Sequence, residues 1–404
     1  MSEEREESPL TPSGALYGTG VAGMFSDSLT NRYISLLAVS VGVTVSQMSY
    51  LRAAQSLSRN LLQLLWGRLA DHYGKKMFIS LGRILNGLLL GVLIFVRTPT
   101  WLILLVIGIA ICWSLIPSAW SSLLGDYTTY TSRGTAIGRI NGLSQAGGLI
   151  AMIIVFVISL KQVEETTPES YTLLLAMAAV MSVMSGIFSL LTEEKPPSPK
   201  KGGLDIALLF RDPRLRRYFL ANIVYGISMA FAWPLFPFII VDKLAMKIWQ
   251  IAAYSICSST SSMIAHRYFG NLMDRIGRRP VIVFSRLSMA VAPLIYVFAT
   301  SWTHVIISEV ILGVGMGAWM SSSPTYIIDI SPPKLRATYL ATNTAVFGVA
   351  AFIGNLASGY ITDNFLAVGG GFQGIHMGLL ISAALRFLTG LLYLWIYETY
   401  SPDE

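Results

Sequence analysis

Apolar residues in this chain gather in long blocks separated by short polar breaks. Blocks of the length that spans a bilayer core, about 20 mostly apolar residues, fall near 15–38, 47–68, 77–97, 100–122, 136–160, 171–191, 217–241, 248–269, 279–299, 303–325, 338–361 and 375–397. The pattern predicts an all-α membrane protein with twelve transmembrane helices. Between the sixth and seventh blocks lies "TEEKPPSPKKGGLDIALLFRDPRLRR", whose proline, glycine and lysine content marks a solvated linker. Within it "LDIALLF" reads either as a short interfacial helix or as a plain loop. The expected organisation is a tail at 1–14, a six-helix bundle at 15–191, a linker at 192–216, a second six-helix bundle at 217–397 and a tail at 398–404.

The chain also contains itself twice. A shift of 203 residues lays "GRLADHYGKK" (67–76) over "GNLMDRIGRR" (270–279), aligning Gly67 with Gly270, Asp71 with Asp274, Gly74 with Gly277, and Lys75 and Lys76 with Arg278 and Arg279. The same shift lays Arg83 over Arg286. It also lays "GDYTTYTSRGT", with Asp126 and Arg133, over "IDISPPKLRAT", with Asp329 and Arg336. Two matches at one offset indicate duplicated halves. Six helices per half is an even number, so the halves share one orientation, as in parallel-repeat transporters.

Composition agrees with a polytopic membrane chain: 53% of the 404 residues are hydrophobic and 13% charged, with a mean hydropathy of +0.60. The net charge of +7 does not call for nucleic acid, because its basic residues sit in alternate loops. Lys75 and Lys76, Arg133, seven residues from Lys195 to Arg217, then Arg275, Arg278 and Arg279, and finally Lys334 and Arg336 form the rich set. The other loops hold little beyond Arg97, Lys161, Lys243 and Lys247. This positive-inside bias predicts that both termini are cytoplasmic. The start, "MSEEREESPL", lacks the basic region of a cleaved signal, so the first helix is expected to be retained. Cys112 and Cys257 both fall within predicted spans and suit packing better than a disulfide or zinc site.

The loop pattern Gly-x-Leu-x-Asp-x-x-Gly followed by two basic residues, echoed in the second half, resembles the major facilitator superfamily. So does the Asp-x6-Arg spacing after the fourth and tenth helices. The resemblance implies two bundles that rock around a central site, with these loops latching the halves on the cytoplasmic side. That role is carried onto Asp71, Lys75, Arg133, Asp274, Arg278 and Arg336, with Gly67, Gly74, Lys76, Asp126, Gly270, Gly277, Arg279 and Asp329 in the same loops. The glycines allow tight turns and close backbone approach, and Asp71 is a candidate for a helix N-terminus, where the backbone dipole favours an anion. The plainer reading is ordinary loop charge worth about 0–1 kcal/mol per exposed pair.

Charge inside a span needs a reason, since it costs roughly 2.5–3.5 kcal/mol at the helix centre on insertion scales. The second helix carries Arg52, Gln55, Arg59 and Gln63 on one face, which suits a water-filled cavity. The same shift gives Ser255, Ser258, Ser262 and His266 on the eighth, where a cavity and a helix–helix seam are equally good readings. Asp27 lies mid-helix on the first span with Asn31 and two glycines near its face, and Arg59 is its expected partner, as a static pair or as a proton-coupling site. Glu309 on the tenth helix is a second candidate acid. Trp113, Trp120, Trp233 and Tyr225 are candidate cavity aromatics, and Pro117, Pro234, Pro237 and Pro324 are candidate kinks.

No phosphate-binding Gly-x4-Gly-Lys-(Ser/Thr) loop, His-Glu-x-x-His metal motif or nucleophile elbow is present, which argues against an ATP-driven pump and against an enzyme. The resemblance implies a secondary transporter using alternating access. The arginines of the first two helices favour an anionic or amphipathic small solute, because a guanidinium grips carboxylate or phosphate through a planar fork. The rival is a multidrug–proton antiporter for efflux. Many of those carry Gly-Pro-x-x-Gly-Gly in the fifth helix, where this chain reads "GLSQAGG" without the proline. A transporter-like sensor or receptor is the alternative from another class. The expectation is a monomer in the cell membrane whose partners are a small-molecule substrate, protons and lipid, with no cofactor, metal or nucleic acid.

Overall fold

The computed structural model describes residues 10–128, 133–161, 167–196, 213–332, 335–369 and 372–399, and every regular element among them is helical. In the first repeat these are α1 (Gly14–Ser40), α2 (Val45–Tyr73), α3 (Lys75–Leu93), α4 (Pro99–Ser114), α5 (Ile116–Asp126), α6 (Arg133–Ser159) and α7 (Thr172–Leu190). In the second they are α8 (Pro213–Phe231), α9 (Ile248–Ile276), α10 (Arg278–Phe298), α11 (Trp302–Ile330), α12 (Arg336–Gly369) and α13 (Gln373–Leu391). Because α4 and α5 continue one another across Leu115, the described rods match the twelve predicted blocks one for one. The acidic N-terminus and "LDIALLF" lie outside the described residues.

Nine of these helices, among the described residues, are long and apolar enough to cross a membrane by length and composition alone. The three that fall short are α1, α2 and α9. They carry Asp27 and Arg32, the arginine–glutamine stripe, and the serine stripe, and those polar side chains depress hydropathy without shortening the helix.

Proline breaks some rods and not others. The α4–α5 junction falls beside Pro117, which occupies the first turn of α5, where its missing N–H costs nothing. After α8 the chain unwinds around Pro234, makes a short turn at Phe236–Phe238 and then a π-turn at Ile239–Lys243. Pro324, by contrast, sits inside an unbroken α11, and Pro293 inside α10.

The described contacts fall into two compact units. The first comprises Met1–Ile34, Leu61–Ala151 and Glu169–Lys201; the second comprises Ser35–Asn60, Met152–Pro168 and Gly202–Glu404. In the first unit α1, α3 and α7 are joined by serines that donate to backbone carbonyls of neighbouring helices. Ser26 Oγ reaches Ala178 O at 2.8 Å, Ser182 Oγ reaches Arg83 O at 2.8 Å, and Ser185 Oγ reaches Thr19 O at 2.8 Å. Where apolar lipid gives no hydrophobic drive between helices, such bonds and close packing hold them. The paired glycines of "GLSQAGG" serve that packing: a Cβ on Gly147 would strike the Val21 backbone, and one on Gly148 the Ser28 hydroxyl.

In the second unit α9 runs against α11 along a seam of small residues. Gly313 and Gly317 leave room for the backbones of Ser258 and Ser262, and a Cβ on Gly317 would sit 2.7 Å from His266 N and closer still to Ser262 O. The first half of α2 also belongs to this unit and packs on α12. Asn355 Nδ2 donates to Ser56 Oγ at 3.2 Å, while Gly348 and Gly359 admit Asn60 and Ser49. The compact units are therefore defined by contact, whereas the repeats at 15–191 and 217–397 are defined by sequence. Gly317→Val is expected to force α9 and α11 apart at a cost of about 1–3 kcal/mol, read as a lower melting temperature of the purified protein in detergent. An unchanged melt would rule out the tight seam.

Candidate functional site

The first unit buries an ion pair between two helices. Arg83 on α3 donates from Nη1 to Asp27 Oδ1 at 2.7 Å and from Nη2 to Asp27 Oδ2 at 3.0 Å, with a longer bond to Gly23 O at 3.4 Å. Both side chains are buried. A Cβ on Gly23 would sit 2.7 Å from Arg83 Nη2, so the glycine makes room for the fork. The sequence points to Arg59 as the partner of Asp27; both carboxylate oxygens are instead engaged by Arg83. Its position on α3 brings it beside α1, which similar depth along α2 does not require.

The second unit answers differently at the equivalent places. Arg286, the repeat counterpart of Arg83, is fully buried. Its guanidinium lies 4.5 Å from the Tyr225 ring centre, 4.9 Å from Tyr393 and 5.2 Å from Trp319. Nη2 donates to Asn222 Oδ1 at 3.3 Å. The counterpart of Asp27 is Ala230. A second buried guanidinium, Arg386 on α13, donates to Met289 O at 3.1 Å and to Met229 O at 2.6 Å. Neither arginine contacts a carboxylate among the described residues. Arg386 is a plain charge within the twelfth block, but without a repeat partner no pattern in the sequence singles it out.

The loop charges form two matching clusters, each tied within its own repeat. Lys75 Nζ meets Asp126 at 2.6 Å, and Arg278 Nε meets Asp329 Oδ2 at 3.0 Å, with Arg278 Nη1 also 3.2 Å from Asp274. The acid at the N-terminus of α3 is Glu194, which accepts from Lys75 N at 2.7 Å and Lys76 N at 2.9 Å. Glu398 does the same at α10, accepting from Arg278 N at 2.9 Å and Arg279 N at 3.1 Å. At these two turns the glycines are required twice over. Gly74 (φ 106°) and Gly277 (φ 94°) have positive φ, and a Cβ on them would sit 2.9 Å from Glu194 Oε1 and 2.7 Å from Glu398 Oε2. The Asp71 and Arg133 side chains lie outside the described residues; Gly67 and Gly270 are partly buried, and Arg336 is exposed.

The predicted polar stripes are present but not gathered at one point. On α2, Gln55 is buried, Arg52, Arg59 and Gln63 are half-buried, and Arg52 Nη1 reaches Gln55 Oε1 at 3.5 Å. On α9 the Ser258 and Ser262 backbones make the seam with α11, and His266 is exposed. Glu309 is buried and accepts from Tyr296 OH at 3.2 Å, while Asn31 is exposed. Trp113 and Trp120 pack on the first unit's core around Leu123 and Ile79. Trp233, Phe347 and Trp319 form a row, with ring centres 6.4 and 6.2 Å apart.

Comparison with known proteins fits this geometry. Residues 16–221 and 218–404 each match the model of the Major Facilitator Superfamily. The multi-drug resistance efflux pump PmrA of Streptococcus pneumoniae is 22% identical over 361 residues, covering 87% of this chain and 89% of the relative. The class H tetracycline resistance protein of Pasteurella multocida is 27% identical over 173 residues, 42% of each chain. Among solved structures, the nucleoside transporter NupG superposes with a TM-score of 0.72 at 15% identity, covering 95% of this chain and 99% of that one. A D-xylose–proton symporter superposes with a TM-score of 0.71 at 12% identity, covering 95% and 97%. With its duplicated helical halves and both matches to the family model, the chain belongs to the Major Facilitator Superfamily, a family of transporters rather than enzymes.

Proposed function

We propose that this transporter moves a small anionic or amphipathic organic solute across the cell membrane by secondary active transport and alternating access. The observation that carries the choice of solute is the charge balance within the spans. Among the described residues the charged side chains buried in the spans are Arg83, Arg286 and Arg386 against Asp27 and Glu309, with Arg52 and Arg59 half-buried on α2, and Asp27 is already taken by Arg83. A solute that brings negative charge completes this interior, whereas a lipophilic cation opposes it. Multidrug–proton efflux is the second reading, favoured by the likeness to PmrA over most of both chains.

In this reading the basic loops face the cytoplasm, as do both termini. Alternating access moves helices as rigid bodies, so their joints must not fray. The paired Lys75–Asp126 and Arg278–Asp329 contacts, with Glu194 and Glu398 seated on helix N-termini, stiffen the two cytoplasmic loops at equivalent positions, each within its own repeat. In this reading Asp27, held by Arg83's two-pronged bond, is the group that couples transport to the proton.

Uptake into liposomes, with and without an imposed pH gradient, against organic anions and cationic dyes tests the solute and the coupling together. Gradient-driven accumulation of anions, lost in Asp27→Asn, is expected. Gradient-independent equilibration makes the protein a facilitator, and proton-driven movement of dyes alone makes it a multidrug antiporter. Because Asp27→Asn leaves Arg83 buried without its counter-ion, a loss of about 3–5 kcal/mol, the double variant Asp27→Asn/Arg83→Gln is the control. Recovery of gradient-driven uptake in that variant would assign Asp27 a static role.

Glu194→Gln and Glu398→Gln are each expected to cost about 0.5–2 kcal/mol at their helix ends. The readout is faster hydrogen exchange at the amides of Lys75 and Lys76, or of Arg278 and Arg279. Unaltered exchange in both variants would exclude the clamp.

A further inference from the structure

We infer that Arg286 and Trp319 form the docking point for the carboxylate of a flat organic anion, the substrate class of the proposed transporter. The inference rests on that functional reading and narrows it to one place in the fold. A guanidinium buried among helices is costly unless an opposite charge meets it. The first repeat meets this cost with Asp27, through a bidentate pair. The second repeat has Ala230 at the equivalent position, fully buried and unable to help.

What surrounds Arg286 is a half-made site. Its Nε and Nη1 are buried without a hydrogen-bond partner, and so is the indole Nε1 of Trp319, whose ring lies 5.2 Å away. Three such donors, with only neutral acceptors in Asn222 and the surrounding tyrosine hydroxyls, call for a ligand rich in acceptors, because an unmade buried bond costs about 1–3 kcal/mol, more for a charged group. The amide that accepts from the guanidinium, Asn222, is already committed, and the other polar side chains beside it are the hydroxyls of Tyr218, Tyr225 and Tyr393. Asn222 Oδ1 also accepts from Tyr393 OH at 3.0 Å, and Asn222 Nδ2 donates to Asn343 Oδ1 at 2.9 Å. Arg386 adds a second positive charge that shares Met289 with this neighbourhood, its Nη1 on that residue's carbonyl and Tyr225 OH on its sulfur. A carboxylate matches the planar fork geometrically.

The rest of the ligand follows from the walls. Tyr225, Tyr393 and Trp319 present ring faces to the guanidinium, and the row continues from Trp319 through Phe347 to Trp233, all three partly buried. Such a row suits a planar apolar body trailing from the carboxylate, by offset or edge-to-face contact.

Binding of radiolabelled benzoate to the full-length protein in detergent, with benzamide as uncharged isostere, is the test. Wild type is expected to bind benzoate, to melt at a higher temperature in its presence, and to show neither response to benzamide. Arg286→Gln should weaken binding at least tenfold, and Arg286→Lys should weaken it less. Ala230→Asp, which keeps Arg286 but supplies the carboxylate of the first repeat, should also weaken binding at least tenfold without lowering the melting temperature of the unliganded protein. Benzoate affinity unchanged in Arg286→Gln or Ala230→Asp, equal binding of benzamide, or no benzoate response in the wild type would overturn the assignment. The two readings fail separately. Binding that persists without gradient-driven uptake counts against coupled transport and leaves the site standing. Carboxylate uptake that survives Arg286→Gln removes the site and leaves transport.

Discussion

A positive charge placed inside an apolar bundle must find a negative one, and the two repeats meet that demand differently. At equivalent positions, Arg83 is held by Asp27 through two short hydrogen bonds, whereas Arg286 is held by three aromatic rings and an amide oxygen. The second half has alanine where the first has its carboxylate, yet it carries the arginine, and Arg386 adds further positive charge close by. A fold that only needed internal packing would gain by losing such arginines, since well-packed apolar replacements of buried ions are often neutral or stabilising. Their presence makes sense where a negative group arrives from outside.

The remainder of the architecture supports that economy of charge. Serine-to-carbonyl bonds join α1, α3 and α7 around Asp27 and Arg83, so the pair sits in a rigid frame. Small-residue seams let α9 and α11 approach closely without adding polar groups to the interior. At the basic-loop end, where water reaches the helix termini, each repeat seats a glutamate on a helix N-terminus and pairs a basic side chain with an aspartate. Charge there is inexpensive and serves to fix loops; inside the spans it is costly, and Asp27, Arg83 and Arg386 are each held by hydrogen bonds.

Much of this is legible in the chain. Apolar blocks of bilayer length mark each helix, because no other signal competes with hydropathy at that scale, although α8 ends at Phe231 inside its block and α9 and α12 run on to Ile276 and Gly369 beyond theirs. The repeated loops reveal the duplication and, through it, the family. What escapes the sequence does so for definite reasons. Glu194 and Glu398 are 204 residues apart, one more than the 203 that aligns the loops, so a fixed shift sets each opposite the wrong neighbour. Asp27 and Arg59 share a depth, but depth does not say which helices are neighbours, and α3 supplies the partner. Pro117 marks a break in its span while Pro324 does not, because a proline within a helix can be absorbed by its surroundings. In the sequence Tyr225 is one of four candidate cavity aromatics and Arg286 only a repeat position; their meeting is a property of packing alone.

The most direct measurement is a structure of the protein with 4-bromobenzoate, using the bromine's anomalous signal to find the ligand. The carboxylate is expected against the Arg286 guanidinium and Trp319 Nε1, with the bromine directed along the Trp319–Phe347 row. Bromine located instead beside Arg52 and Arg59, with Arg286 still enclosed by its three rings, would contradict the central role of the uncompensated arginine.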